Sequence, residues 1–211
     1  KALGCSVVLM SATLPLARRA ELLRAWGVAE DAVPALAYPR LLLADQAGVR
    51  GESFGARELA PIHLVGLDES LESLADTAIA LLAGGGCGAL IVNTVDRAQQ
   101  IYTVLRQRLD EQIPLLLFHA RFPADQRAEQ ERCVLAQFGV VGERPERALL
   151  IATQVAEQSL DIDFDFMLSD LAPVDLLLQR AGRLHRHLRA RPAQHAEACL
   201  WVAGLQAERL P

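Results

Sequence analysis

The sequence predicts an α/β fold, a mostly parallel sheet covered by helices on both faces. Three observations predict it. Short apolar runs at 90–93, 148–152 and 166–169 are too brief for buried helices and read as strands buried on both sides. Segments of helical periodicity separate these runs. The chain is 52% hydrophobic but only 5% aromatic, so its core has to be built from Leu, Ala and Val.

Taken in order, a buried strand is expected over 5–10. An amphipathic helix follows over 16–26, and Gly27 can end it. Residues 27–57 carry Pro34, Pro39, Gly48, Gly51 and Gly55 with little periodicity, and read as loop and linker. A strand over 61–67 and a helix over 71–82 come next. Gly84 to Gly88 precede a strand, whereas a phosphate-binding glycine turn follows a strand and opens a helix. They read as a helix stop and a turn. A strand over 90–93, a helix over 95–109 and a strand over 115–119 follow. The helix over 124–138 has Pro123 at its start. Strands over 148–152, 166–169 and 198–202 complete the set. In such sheets, function sits in the loops at the carboxyl ends of the strands.

Composition excludes several classes. The net charge of −5 argues against coating nucleic acid by bulk charge. No apolar run reaches the roughly 18 residues of a membrane span, and the start leads straight into a strand-like run, so no membrane partner is expected. Four cysteines without a CxxC pair give neither zinc site nor disulfide framework; free thiols in a reducing cytoplasm are expected. His185 and His187 stand beside arginines and make a poor metal site, so no metal is expected. The chain does not begin with Met, which suggests a fragment of something longer.

Four stretches carry candidate chemistry. In Gln179-Arg180-Ala181-Gly182-Arg183-Leu184-His185-Arg186-His187, a helix would put Gln179, Arg183 and Arg186 on one face. Two permanently charged guanidinium groups there suit a triphosphate. The run from Thr153 to Asp165 follows an apolar strand and so occupies a strand-end loop. Its Asp161, Asp163 and Asp165 mimic the start of a calcium loop. Phe166 and Ala172 stand where that loop needs Gly and Glu, so calcium is rejected. Ser11-Ala12-Thr13 follows the first expected strand. Asn93-Thr94 lies between a strand and a helix, where it can bind phosphate or simply cap the helix.

The QRxGRxxR pattern of Gln179 to Arg186 resembles the last motif of superfamily 2 helicases. The wording from Leu9 to Pro15, the His119-Ala120-Arg121-Phe122 segment and the Glu157 to Asp165 run narrow the likeness. Together they resemble the CRISPR-associated helicase–nuclease of type I systems. The resemblance implies a RecA-like (P-loop NTPase-type) fold, with 1–57 as the end of a first lobe plus linker and 58–211 as a second lobe. It implies ATP-dependent translocation on single-stranded DNA and degradation of invading DNA. Arg183 and Arg186 would reach the γ-phosphate with Gln179 beside them, Asp161 would face the nucleotide, and Ser11 and Thr13 would couple hydrolysis to movement. Thr153, with Gln154 next to it, would face backbone phosphate. Thr153, His119 and Asn93 end parallel strands, so their loops should share one sheet edge and, with Thr94 and Arg121, line a DNA track.

The sequence has no GxxxxGK[ST], and Lys1 is its sole lysine; no His-Asp dipeptide occurs either. ATP and Mg2+ would therefore be held mainly by a first lobe, nuclease metals would belong to an absent nuclease domain, and the chain alone should be inactive. The partners implied are single-stranded DNA, an RNA-guided Cascade-type complex, the first lobe and the nuclease domain. Two alternatives stay open: the same lobe of another superfamily 2 DNA or RNA helicase, and a non-catalytic nucleic-acid-binding module on a helicase-like scaffold.

Overall fold

Residues 4–11, 14–28, 33–45, 47–55, 60–157 and 160–205 are described by a computed structural model. The chain divides after Leu59 into two compact units. In the first, α1 (Leu16–Trp26) ends where Gly27 takes the left-handed φ of 85° and its amide donates to the Arg24 carbonyl. That is the glycine stop expected from the sequence. The expected strand over 5–10 is not formed. Those residues have no regular secondary structure, with Val8 84% and Met10 92% exposed. An apolar run becomes a buried strand only when neighbouring strands accept its backbone, and none among the described residues does.

The expected linker over 27–57 also needs correction. It contains an antiparallel hairpin, β1 (Arg40–Asp45) and β2 (Gly48–Ser53), paired from Arg40–Ser53 to Asp45–Gly48. β1 alternates half-buried with exposed residues, the period of a strand. The glycines hid it: Gly48 lies at φ 122° beside the turn, and a Cβ on Gly51 would lie 2.6 Å from the Leu36 side chain, so no side chain fits there.

The second unit holds β3 (Ile62–Leu67), α2 (Leu71–Ala83), β4 (Gly86–Ile91), α3 (Val95–Arg108), β5 (Leu115–Phe118), α4 (Ala124–Phe138), β6 (Arg147–Ala152), β7 (Phe166–Asp170), α5 (Val174–Ala181) and β8 (Ala198–Ala203). The strands form one sheet in the order β3-β8-β7-β4-β6-β5, and every pairing is parallel. Helix starts follow their side chains. The Ser70 hydroxyl accepts from the Ser73 amide and the Thr94 hydroxyl from the Arg97 amide, while Pro123 and Pro173 precede α4 and α5.

Two cores flank the sheet. On one face Leu74, Ala78 and Leu82 of α2 and Ile101 and Leu105 of α3 pack on Leu90, Leu149 and Leu168. On the other, Val134 and Phe138 of α4 and Ala181 of α5 pack on Ala89, Leu150 and Met167. Each such Leu or Phe is worth about 1.5–3 kcal/mol when fully buried. β4 lies in the middle with all six residues buried. Gly84 ends α2 as expected, but β4 starts at Gly86, so Gly86 and Gly88 lie in a strand and not in a turn. The reason is steric: a Cβ on Gly88 would lie 2.2 Å from the Phe166 ring. The glycine lets a neighbouring-strand aromatic lie across β4.

Candidate functional site

Because all six strands run parallel, their carboxyl ends open on one edge, and β4, β6 and β5 are consecutive there. Asn93, Thr153 and His119 follow these three strands, so the loops expected to share an edge do so. Thr153 is 1% exposed; its amide donates to the Phe118 carbonyl across to β5, and its hydroxyl has no hydrogen-bond partner. His119 is buried, stacks on Phe122 at 4.2 Å, and leaves Nδ1 unpartnered. Burial, and behind it the charge of Arg121, lowers the His119 pKa from 6.5 and keeps the ring neutral near pH 7. Two buried polar atoms without partners, side by side at strand ends, are unusual in a folded protein and point to a ligand surface.

The other residues of this edge are more constrained. Thr94 caps α3. The Asn93 amide donates to Asp170 at 3.0 Å and its side-chain amide to the Leu171 carbonyl at 2.9 Å. Arg97 meets the same Asp170 carboxylate at 2.9 Å. Arg180, 1% exposed, donates to the Ser169 hydroxyl and to the Asn93 side chain. Arg180 is thus a buried brace between α5, β7 and the Asn93 turn, a role the sequence did not reveal. Arg121 is exposed and pairs with Asp96 at 2.9 Å. Gln154 is exposed in a single 3-10 turn, Gln154–Glu157. Ser11 lies in the first unit without regular secondary structure, and Thr13 falls outside the described residues.

The arginine motif corrects the expectation of one helix face. α5 ends at Ala181 and Gly182 caps it, so only Gln179 of the three predicted residues is helical. Beyond it the chain turns and bridges Leu184 to Phe164; the Phe164 amide donates to the Arg183 carbonyl and the His185 amide to the Phe164 carbonyl. His185 takes a left-handed φ of 48°. The loop nevertheless brings predicted partners together. Arg186 Nε donates to Asp161 Oδ1 at 2.6 Å, and His187 Nε2 lies 3.0 Å from the same oxygen. The His187 and Arg186 contacts hold the Asp161 carboxyl below its usual range. Burial lowers the Arg183 pKa, and so does the like charge of Arg186 nearby, which favours an anion between the two.

Asp163 and Asp165, the other members of the acidic run, do something different. They are buried and bonded by arginines that sequence reasoning missed. Arg191 donates to both carboxylates, at 2.6 Å to Asp165 and 2.9 Å to Asp163. Arg144 donates to Asp165 at 2.8 Å and Arg189 lies 3.1 Å from Asp163. The Cys87 amide donates to Asp165 at 2.7 Å. A sequence signal existed: Arg189 and Arg191 repeat the two-residue spacing of Asp163 and Asp165. No group of three or more His, Cys, Asp or Glu able to hold a metal exists among the described residues. No described helix is long and apolar enough to cross a membrane.

A six-stranded parallel sheet with helices on both faces makes this unit a RecA-like α/β lobe. The chain belongs to the family described as CRISPR-associated nuclease/helicase Cas3, C-terminal, whose family model matches residues 84–189. The CRISPR-associated endonuclease/helicase Cas3 of Thermus thermophilus is 43% identical over 93% of this chain and 25% of its own length, so the chain spans about a quarter of that relative. A crystal structure of a CRISPR-associated protein matches with TM-score 0.84 at 43% identity, over 93% of this chain and 23% of that one. The structure of T. fusca Cas3-ATP matches with TM-score 0.72 at 36% identity, over 84% and 22%. A chain in a CRISPR RNA-guided surveillance complex, pre-nicking, matches with TM-score 0.71 at 34% identity, over 84% and 24%.

Proposed function

We propose that this chain is the second motor lobe of an ATP-driven single-stranded DNA translocase that works with a nuclease in CRISPR interference. The observation that carries the reading is the meeting of Asp161 with Arg186 at 2.6 Å, in a loop that also carries Arg183. The Arg183–Arg186 loop thus meets a carboxylate 25 residues away in sequence, an arrangement that suits a nucleotide-facing wall. Arg183 and Arg186 fit a triphosphate by chemistry, since each guanidinium can donate two parallel hydrogen bonds to phosphate oxygens. Asp161 suits a sugar hydroxyl, and Gln179 a polar rim. Mg2+ and the phosphate loop belong to a first lobe, because no GxxxxGK[ST] occurs here.

On the strand-end edge, Thr153, His119, Arg121, Asn93, Thr94 and Gln154 would hold a DNA strand by its phosphates and sugars. Such contacts position a strand without reading it, which suits a motor that accepts any sequence. Ser11 and Thr13 would couple the two lobes. The partners in this reading are the first lobe, a nuclease domain and an RNA-guided surveillance complex of the Cascade type. Its setting is cytoplasmic.

ATP turnover tests this directly. The chain by itself should show no ATPase above background, with or without single-stranded DNA. In the protein that carries both lobes, Arg183→Ala and Arg186→Ala should each slow turnover on the order of 10³-fold, the scale for arginine fingers. Affinity for DNA without nucleotide should change little. Normal hydrolysis with lost DNA affinity would reassign both arginines to the DNA.

A further inference from the structure

The loop carrying Arg183 and Arg186 has no regular structure of its own, because α5 stops at Ala181. Two long, like-charged side chains have to be held in place by something else. Two backbone hydrogen bonds to Phe164 hold the loop's start. Its far end is held by side chains. The His187 amide donates to Asp163, Arg189 reaches Asp163 and the Gly139 carbonyl, and Arg191 donates to Asp163 and Asp165. Arg191 also turns back and donates to the His187 carbonyl at 2.9 Å. Among the described residues it alone bonds both carboxylates and a backbone carbonyl of the arginine loop. Its side chain is 9% exposed, so these bonds are shielded from water.

We propose that Arg191 is a positioning residue: with Asp163 and Asp165 it fixes the loop so that Arg183 and Arg186 are presented at a set distance and angle. The inference rests on the reading of those two arginines as ATP-facing. Arg191 lies just beyond the residues 84–189 that the family model matches. The chain of contact is short. Asp163 stands two residues from Asp161, which pairs with Arg186, and the carbonyl that Arg191 holds belongs to His187, the residue after Arg186. Loosening the clasp therefore loosens both partners of the Asp161–Arg186 pair at once. A lysine could keep the charge but not the clasp, because a point ammonium cannot serve two carboxylates and a carbonyl in one plane.

The test uses the two-lobed protein and Arg191→Lys, with DNA-stimulated ATP turnover expressed per nucleotide-binding site titrated by a non-hydrolysable ATP analogue. Unfolded protein then drops out of the rate. The expected result is a kcat lowered about tenfold to a hundredfold, the scale for small misplacement of a reacting group, with KM for ATP within about twofold. Adding Arg191→Lys to Arg183→Ala should lower kcat by much less than it does in the wild type, since both act through one group. An unchanged kcat per site, or losses that multiply in the double variant, would overturn the proposal. If Arg191→Lys yields no titratable sites, Asp165→Asn takes the same test, because it removes one of the fork's partners and keeps its shape. Should Arg183→Ala alone leave turnover intact, the ATP reading itself fails, whatever Arg191 does.

Discussion

Thr153 and Asp163 are equally inaccessible to water, yet their surroundings are opposites. Every oxygen of the buried Asp163 and Asp165 carboxylates meets a donor: Arg191, Arg189 and the His187 amide at the first, Arg191, Arg144 and the Cys87 amide at the second. At the strand-end edge the Thr153 hydroxyl and His119 Nδ1 meet none. A saturated polar cluster has no capacity left for a ligand, so it serves the fold. An unsaturated one keeps capacity, and its cost to stability marks where binding would be repaid. Sequence chemistry alone points the other way, since charge draws the eye to the aspartates.

The sharpest way to break this contrast is Asp163→Ala. It strands Arg189 and Arg191 next to one remaining carboxylate and should cost about 3–5 kcal/mol, the range for removing one partner of a buried ion pair. Denaturant unfolding measures it, and a loss under about 1 kcal/mol would show the cluster to be hydrated after all. Thr153→Val should act in the opposite sense, raising stability by up to about 1 kcal/mol because a buried hydroxyl without a partner is removed. The same change should weaken single-stranded DNA binding equally on several unrelated oligonucleotides. Loss on one sequence only would mean base readout.

Smaller effects sharpen the comparison further. Asp161, 57% exposed, belongs to the same acidic run as Asp163. Asp161→Asn should move stability by no more than about 0.5 kcal/mol, the usual surface range, while slowing ATP turnover. The weakest effect is on the pH dependence of unfolding. Burial raises the Asp165 carboxyl, but the Cys87 amide and the Arg144 charge outweigh it, so its folded pKa lies below 3.8. Stability from Asp165 is therefore complete well above 3.8 and is lost as pH falls through the folded value. His185 is lowered from 6.5, by burial first and then by Arg191. Its contribution is present above 6.5 and lost as pH falls below it, because the unfolded chain takes up the proton first. Denaturation midpoints should thus drop in two stages on acidification, and a rise between pH 7 and 5.5, values on the order of these pKa windows, would contradict the sign.

Much of this was legible because it is local. Pro123 starts α4 and Gly27 stops α1, since each acts on its own φ angle and amide. Thr153, His119 and Asn93 could be put on one edge because strand polarity follows from alternation with helices. What failed depends on distant partners. Whether residues 5–10 are a strand depends on what lies beside them. Gly182 can sit inside a helix or end one, and the bridge between Leu184 and Phe164 decides it. The Arg144, Arg189 and Arg191 clasp joins positions on separate elements, so no window of sequence contains it. Gly86 and Gly88 look like a turn in the sequence because glycine usually breaks strands, while here the space Gly88 leaves is filled by Phe166 from the next strand.

The strand order has a consequence for how the polypeptide is made. Among the described residues β3 pairs only with β8, so the first strand of the sheet to leave the ribosome waits for the last. β4, β6, β5 and β7 can zip together as they emerge, but β8 must then enter between β7 and β3 to join β3 to the sheet. Until then β3 has no strand to pair with, and its Leu64 and Val65, exposed even in the folded sheet, add apolar surface for any passing chain. Release of a nascent chain short of Ala203 should therefore yield a sticky, open-edged sheet, and rare slow codons after β7 would lengthen that hazard.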